Sequence, residues 1–230
     1  MLIGGSIIIS LFLAGAAIPL FGQISGSDQS KAVVLATPPA DLHQGEFAGN
    51  TECKTCHPAE WKVFADGANA VANAVSKATG LRTVFHHHCA GYVETPDEIA
   101  QFLQLTDPQT VGLVFDTGHY VFGSGDCDVI AGLERFKDRI WYIHLKDCRR
   151  DIAEKSRAES WDYFQALRHG IFCELGKGCV DFPKVLHWLK SMGYRGYVLV
   201  EQDVLPGMGA PKNSALRNRE YLRSIEQYFA

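Results

Sequence analysis

Four times between residues 81 and 203 the chain runs through a short, continuous apolar stretch and ends it on titratable residues. The stretches are LRTVFHH (81–87), VGLVFDT (111–117), IWYIHLKD (140–147) and GYVLVEQD (196–203), each followed or preceded by an amphipathic segment. An apolar run without alternation marks a strand buried on both faces, and strands alternating with helices are parallel βα units. The chain is therefore expected to be α/β, with four such units.

The segments between these runs carry their own signals. Thr95-Pro96-Asp97-Glu98 reads as a helix start, with Thr95 as N-cap, proline at the first position and Glu98 closing a capping box. DVIAGLERFKD (128–138) is expected to be the helix after the second strand, and Asp181 the cap of DFPKVLHWLKSMG, which stops at Gly193. NSALRNREYLRSIEQYF (213–229) closes the chain as an amphipathic helix, while the stretch containing SRAESWDYFQALRHG is a longer excursion.

Upstream of residue 60 the texture differs. Ile7 to Phe21 (IIISLFLAGAAIPLF) is apolar and uncharged and precedes the polar, small-residue stretch GQISGSDQS, so residues 1–24 read as a signal-like or anchor segment. They lack a positive n-region, and the run is short for a membrane span of about 20 residues. Residues 25–59 are a linker rich in Ala, Pro and Gly that ends in GNTECKTCHPAEW. Within it Cys53, Cys56 and His57 form the C-x-x-C-H pattern that attaches a c-type haem. This segment resembles the single-haem units of multihaem cytochromes, with the second axial ligand unassigned. The other reading of the motif is a remnant or fusion scar.

Composition narrows the partners. With a net charge of −4, a pI near 6.1 and no basic cluster beyond Arg149-Arg150, nothing points to nucleic acid. Of seven cysteines, the last five (Cys89, Cys127, Cys148, Cys173 and Cys179) read as mostly free thiols, at odds with an exported chain.

Each apolar run places its polar residues at its C-terminal end: His86, His87 and His88, then Asp116 with His119, then His144 with Lys146, then Glu201. In parallel α/β folds that edge carries the chemistry. Side chains alternate along a strand, so His86 and His88 share one face while His87 turns to a helix or a backbone partner. Singly, each has a structural explanation; a strand-end histidine is commonly satisfied locally, and Asp116 could cap the following loop. Together, imidazole nitrogens and carboxylates over four strand ends suit Mn²⁺, Co²⁺, Zn²⁺ or Fe²⁺ better than Ca²⁺.

The motifs HHHCAGYVETPDEI, VGLVFDTGHYVFGSGD, RIWYIHLKDC, FCELGKGCVDFP and GYRGYVLVEQDVLPGMG resemble, in that order, the second half of the inosose dehydratases, within the xylose isomerase-like TIM-barrel superfamily. The resemblance covers residues 60–230 and implies the C-terminal half of a (β/α)₈ barrel. It implies metal ligands at His86, where many superfamily members have Glu, and at Asp116, His144 and Glu201, for a divalent Mn, Co or Zn ion. His88, His119 and Lys146 would line the pocket, with Glu94 and Lys177 reaching the substrate, a cyclic polyol ketone or related sugar. Four βα units fall short of the eight a barrel needs. A truncated or fused chain is expected, exposing an inner face and two strand edges unless a homodimer closes the barrel.

A metal beside a ketone eases removal of the neighbouring proton, and His88 or His119, then Glu94, suits the base. Loss of the β-hydroxyl would then give dehydration, and reprotonation would give isomerisation or epimerisation. Lys146 could hold a substrate hydroxyl or stabilise developing charge, or else pair with Asp147 or another carboxylate. The glycines of LGKGCVD are expected to turn the chain rather than bind phosphate. Two readings stand: a metal-dependent lyase or isomerase, cytoplasmic by resemblance and weakened as an isolated half, and an exported or membrane-anchored haem-carrying electron-transfer protein with a barrel-derived passenger.

Overall fold

In the computed structural model, residues 6–8, 58–89 and 91–228 are described. Cys53, Cys56 and His57, with most of the leader and linker, lie outside them. No helix among the described residues is long and apolar enough to cross a membrane.

The described strands build one parallel sheet in the order β1 (Ser6–Ile8), β2 (Arg82–His86), β3 (Val111–Asp116), β4 (Ile140–Leu145) and β7 (Val198–Val200). The four expected strands are thus adjacent and in chain order, and β1, from the start of the apolar leader run, adds a fifth at the β2 edge. All six residues of β3 are buried, as its unbroken apolar sequence requires of a strand covered on both faces. β7 is shorter than its apolar run. Among the described residues it pairs with β4 alone, leaves Tyr197 and Leu199 exposed, and continues its ladder through the Glu201 amide, which donates to the Leu145 carbonyl at 3.0 Å.

Helices follow the strands. α1 (Pro58–Thr79) packs Phe64 edge-on to Phe85 of β2, and α2 (Pro96–Leu105) opens with the expected capping box between Thr95 and Glu98. α3 (Thr117–Ser124) starts directly from β3, and α4 (Val129–Phe136) is capped by Asp128. The excursion after β4 resolves into β5 (Asp147–Cys148), α5 (Arg150–Ala158), α6 (Tyr163–Arg168) and β6 (Phe172–Cys173), with β5 and β6 paired antiparallel. α7 (Phe182–Ser191) is capped by Asp181, and α8 (Pro211–Ser224) closes the layer.

Two devices set the register at the strand ends. A shift between Leu113 and Val114 in the β3–β4 ladder brings Asp116 opposite His144, re-aiming the carboxyl ends of both strands. Gly112 is needed on β3 because a Cβ there would overlap the Trp141 indole of β4. The thiol expectation needs one correction: Cys127 and Cys179 form a disulfide, which ties the loop before α4 to the loop before α7, while Cys89, Cys148 and Cys173 are free.

Candidate metal centre and its surroundings

The three histidines of β2 divide as alternation requires. His87 turns away, is fully buried, and accepts a hydrogen bond at Nε2 from the Asp116 amide (3.2 Å). Burial lowers its pKa to about 3, so the ring stays neutral and can accept. His86 and His88 face the other side, where their rings lie 5.7 Å apart, and His86 reaches the ring of His144 at 4.7 Å.

Asp116 splits its two oxygens between fold and site. Oδ1 caps α3 by accepting from the His119 amide at 2.8 Å, which fixes the carboxylate plane. Oδ2 is left facing His86 Nε2 at 3.7 Å and His144 Nδ1 at 3.6 Å, with Glu201 Oε2 only 2.8 Å from His144 Nδ1. His86, Asp116, His144 and Glu201 thus offer one ligand atom each, all within 4.8 Å of one another.

The donor set fits a divalent ion. His86 Nε2, Asp116 Oδ2 and both ring nitrogens of His144 are buried without a hydrogen-bond partner, an arrangement that is costly unless another group satisfies them. Even the short His144–Glu201 approach lacks hydrogen-bond direction. Bonds of about 2.0–2.2 Å around a tetrahedral centre place neighbouring ligand atoms about 3.4 Å apart, and the three separations above bracket that spacing.

The charges are mutually supporting. Burial works against ionised Asp116, yet His119, His144, His86 and Lys146 hold it well below the usual carboxylate range. Burial likewise opposes charge on Glu201, and His119, His144 and Lys146 overcome it. Burial pulls the His144 pKa down, but Asp116 and Glu201 outweigh it and raise it to about 9. Lys146 stays charged despite burial because Asp116, Glu201 and Asp203 surround it.

Beside the four-residue set lies a second group. His119 is fully buried; Cys89 Sγ lies 3.0 Å from its Nδ1, and its Nε2 lies 3.1 Å from Lys146 Nζ and 3.6 Å from Glu201 Oε1. Burial and the Lys146 charge push its pKa well below the ordinary value. His88 Nδ1 lies 2.7 Å from the Cys89 carbonyl, and its Nε2 is 3.4 Å from the Tyr163 hydroxyl of α6. Burial lowers the His88 pKa as well.

The remaining expected residues are Lys146, Glu94 and Lys177. Lys146 is fully buried and pairs with Glu201 and Asp203, each at 2.7 Å, rather than with Asp147. Glu94 lies with its carbonyl and side chain against Gly123, at the end of α3. Lys177 is exposed and pairs with Glu174 at 2.7 Å, not with a residue of the cluster. Three participants escape sequence reasoning. Asp203 lies two residues past Glu201, beyond the end of β7, and strand period carried on from Glu201 is the signal that points to it. Tyr163 arrives on a helix of the excursion, and Cys89 carries no pattern of its own.

Groups that could ligate a metal, gathered at the carboxyl ends of adjacent parallel strands with helices packed behind them, are the arrangement of part of a TIM barrel. The sequence profile of the xylose isomerase-like TIM barrel family matches residues 30–225, a span that also includes Cys53, Cys56 and His57. The chain belongs to that family. It is similar to an inosose dehydratase of Clostridium beijerinckii, 38% identical over 164 residues, covering 71% of this chain and 54% of that enzyme. The chain spans about half the length of the curated relatives it matches. Among solved structures it is similar to the IOLI protein with a binding zinc atom (TM-score 0.54, 18% identity, covering 74% of this chain and 58% of that one). It is also similar to an L-ribulose 3-epimerase (TM-score 0.54, 18% identity, covering 73% and 55%).

Proposed function

We propose that this chain carries the metal-binding half of a sugar-processing lyase of the inosose dehydratase type, acting on a cyclic polyol ketone. The observation that carries the reading is the convergence of His86, Asp116, His144 and Glu201 from four adjacent strands, with ligand atoms within 4.8 Å. The likeness to inosose dehydratases supports the substrate class. Two nitrogen and two oxygen donors suit Mn²⁺, Co²⁺ or Zn²⁺.

A divalent ion held by these four residues would supply Lewis-acid polarisation of the ketone oxygen. The chain's own residues do the rest. His88 donates its Nδ1 hydrogen to the Cys89 carbonyl, so Nε2 carries the lone pair that takes the proton from the carbon beside the ketone. The imidazolium so formed returns that proton to the departing β-hydroxyl, and water leaves. His119 is the weaker candidate for base, because it is fully buried and its Nε2 faces the Lys146 ammonium at 3.1 Å, a charge that opposes taking up a proton. The Lys146 ammonium contributes a fixed positive charge that keeps Glu201 ionised for ligation.

The test is dehydration of an inosose by metal-loaded protein, followed through the absorbance of the conjugated hydroxy-enone that loss of one water leaves, the enol tautomer of a 1,2-diketone. Metal-dependent conversion supports a lyase. Exchange of the α-proton with solvent without loss of water would instead indicate an epimerase or isomerase. No exchange and no conversion by folded, metal-loaded protein would overturn the proposal.

A further inference from the structure

Glu201 belongs to two donor sets at once. Besides the four-residue set, His88, His119 and Glu201 also bring one ligand atom each to within 4.8 Å of one another. By donor chemistry alone this trio suits a second divalent ion, with Glu201 bridging the two.

A side chain of the protein already stands there. Lys146 is anchored by Thr117, whose hydroxyl donates to the Lys146 carbonyl (2.6 Å) and accepts from its amide (2.9 Å). Its aliphatic stem crosses α3 at Gly118, where a Cβ would lie 2.8 Å from Lys146 Cγ, so only glycine leaves the path open. The ammonium ends 2.7 Å from Glu201 Oε1, 2.7 Å from Asp203 Oδ2, 3.1 Å from His119 Nε2 and 4.3 Å from the centre of the Phe172 ring. An ion bound through His119 Nε2 and Glu201 Oε1 would sit about 2.0–2.2 Å from each, in the space the ammonium takes. The charge balance agrees: with His144 neutral as a ligand, Asp116, Glu201 and Asp203 set against one ammonium leave two negative charges, which a single divalent ion neutralises.

The geometry points to Lys146 as the residue that keeps this centre mononuclear, its ammonium standing in place of a second divalent ion at His88, His119 and Glu201. The inference rests on the reading that the four-residue set binds one ion. Lys146 is then a positioning residue. Its ammonium hydrogen-bonds His119 and Glu201 and lies in charge contact with Asp203, and it acts by holding Glu201 Oε1 so that Oε2 faces His144.

The experiment is equilibrium dialysis of the full chain against excess Zn²⁺, with bound metal counted per chain, for the wild type, Lys146→Arg, Lys146→Gln and Lys146→Met. Circular dichroism establishes which variants are folded. One ion is expected in the wild type and in Lys146→Arg, and two in whichever uncharged variant folds. The second ion should be lost again when His119→Asn is added. With Mn²⁺ in place of Zn²⁺, the uncharged variants should show the spin-coupled electron paramagnetic resonance of a pair. Two ions in the wild type, or saturation at one in a folded uncharged variant, would overturn the role of Lys146 and leave the four-residue site standing. A folded wild type that takes up none would sink that site and this inference together.

Discussion

At the scale of single residues, the centre depends on side chains whose two ends do different work. Asp116 gives one oxygen to the α3 N-terminus, as its sequence position allowed, and turns the other toward His86 and His144. His88 is oriented in the same way by the Cys89 carbonyl behind it. His88→Asn should therefore leave metal content unchanged while lowering turnover of an inosose by a factor on the order of 10²–10⁴, the usual contribution of a general base. Steady-state rates measured beside bound metal check this, and loss of metal with the activity would make His88 a ligand instead. The alternation of His86 and His88 against His87 was legible in the sequence because strand period fixes it. The Tyr163 contact to His88 was not, because it depends on where a helix far along the chain comes to rest.

Among the elements, the loop between β6 and α7 shows how a turn can be held from outside. The Asp147 carboxylate accepts from the amides of Gly176 (2.9 Å), Gly178 (2.8 Å), Val180 (3.1 Å) and its neighbour Cys148 (2.9 Å). Burial raises its pKa, and those four amides oppose the rise. Asp147→Ala should leave these donors unpaired, lowering stability by roughly 2–4 kcal/mol. Amide exchange should then quicken at Gly176, Gly178 and Val180, and unchanged protection there would contradict the cradle. The glycines of LGKG were legible as turn-makers, but their partner was not, since it is set by the β5–β6 pairing. Glu174, at the mouth of this loop, accepts from Arg217 Nε at 2.7 Å and pairs with Lys177, which lowers its pKa to about 2. A depressed carboxylate stabilises the fold above its unfolded pKa, and that stability is lost as pH falls from about 4.5 toward 2. Arg217 and Lys177 are well exposed, so the effect is about 1 kcal/mol or less. Denaturation of Glu174→Gln should show a smaller loss of stability over that acid window than the wild type shows.

Over the whole molecule, order and direction of the strands were readable because four apolar runs with helix signals between them admit few arrangements. The capping box of α2 and the Asp181 cap stand where expected. What could not be read was the β3–β4 register shift, the close approach of Gly112 to Trp141, and the participation of Ser6–Ile8 in the sheet. The fold thus brings four residues together across 115 positions of sequence, from His86 to Glu201. The proposed function requires all four to ligate one divalent ion. The first measurement to make is the divalent-metal content of purified, folded chain beside His144→Ala. About one Mn, Co or Zn ion per wild-type chain, lost in the variant while circular dichroism stays unchanged, is the predicted result. A folded wild type that binds no metal, or a variant that holds as much as the wild type, would contradict it.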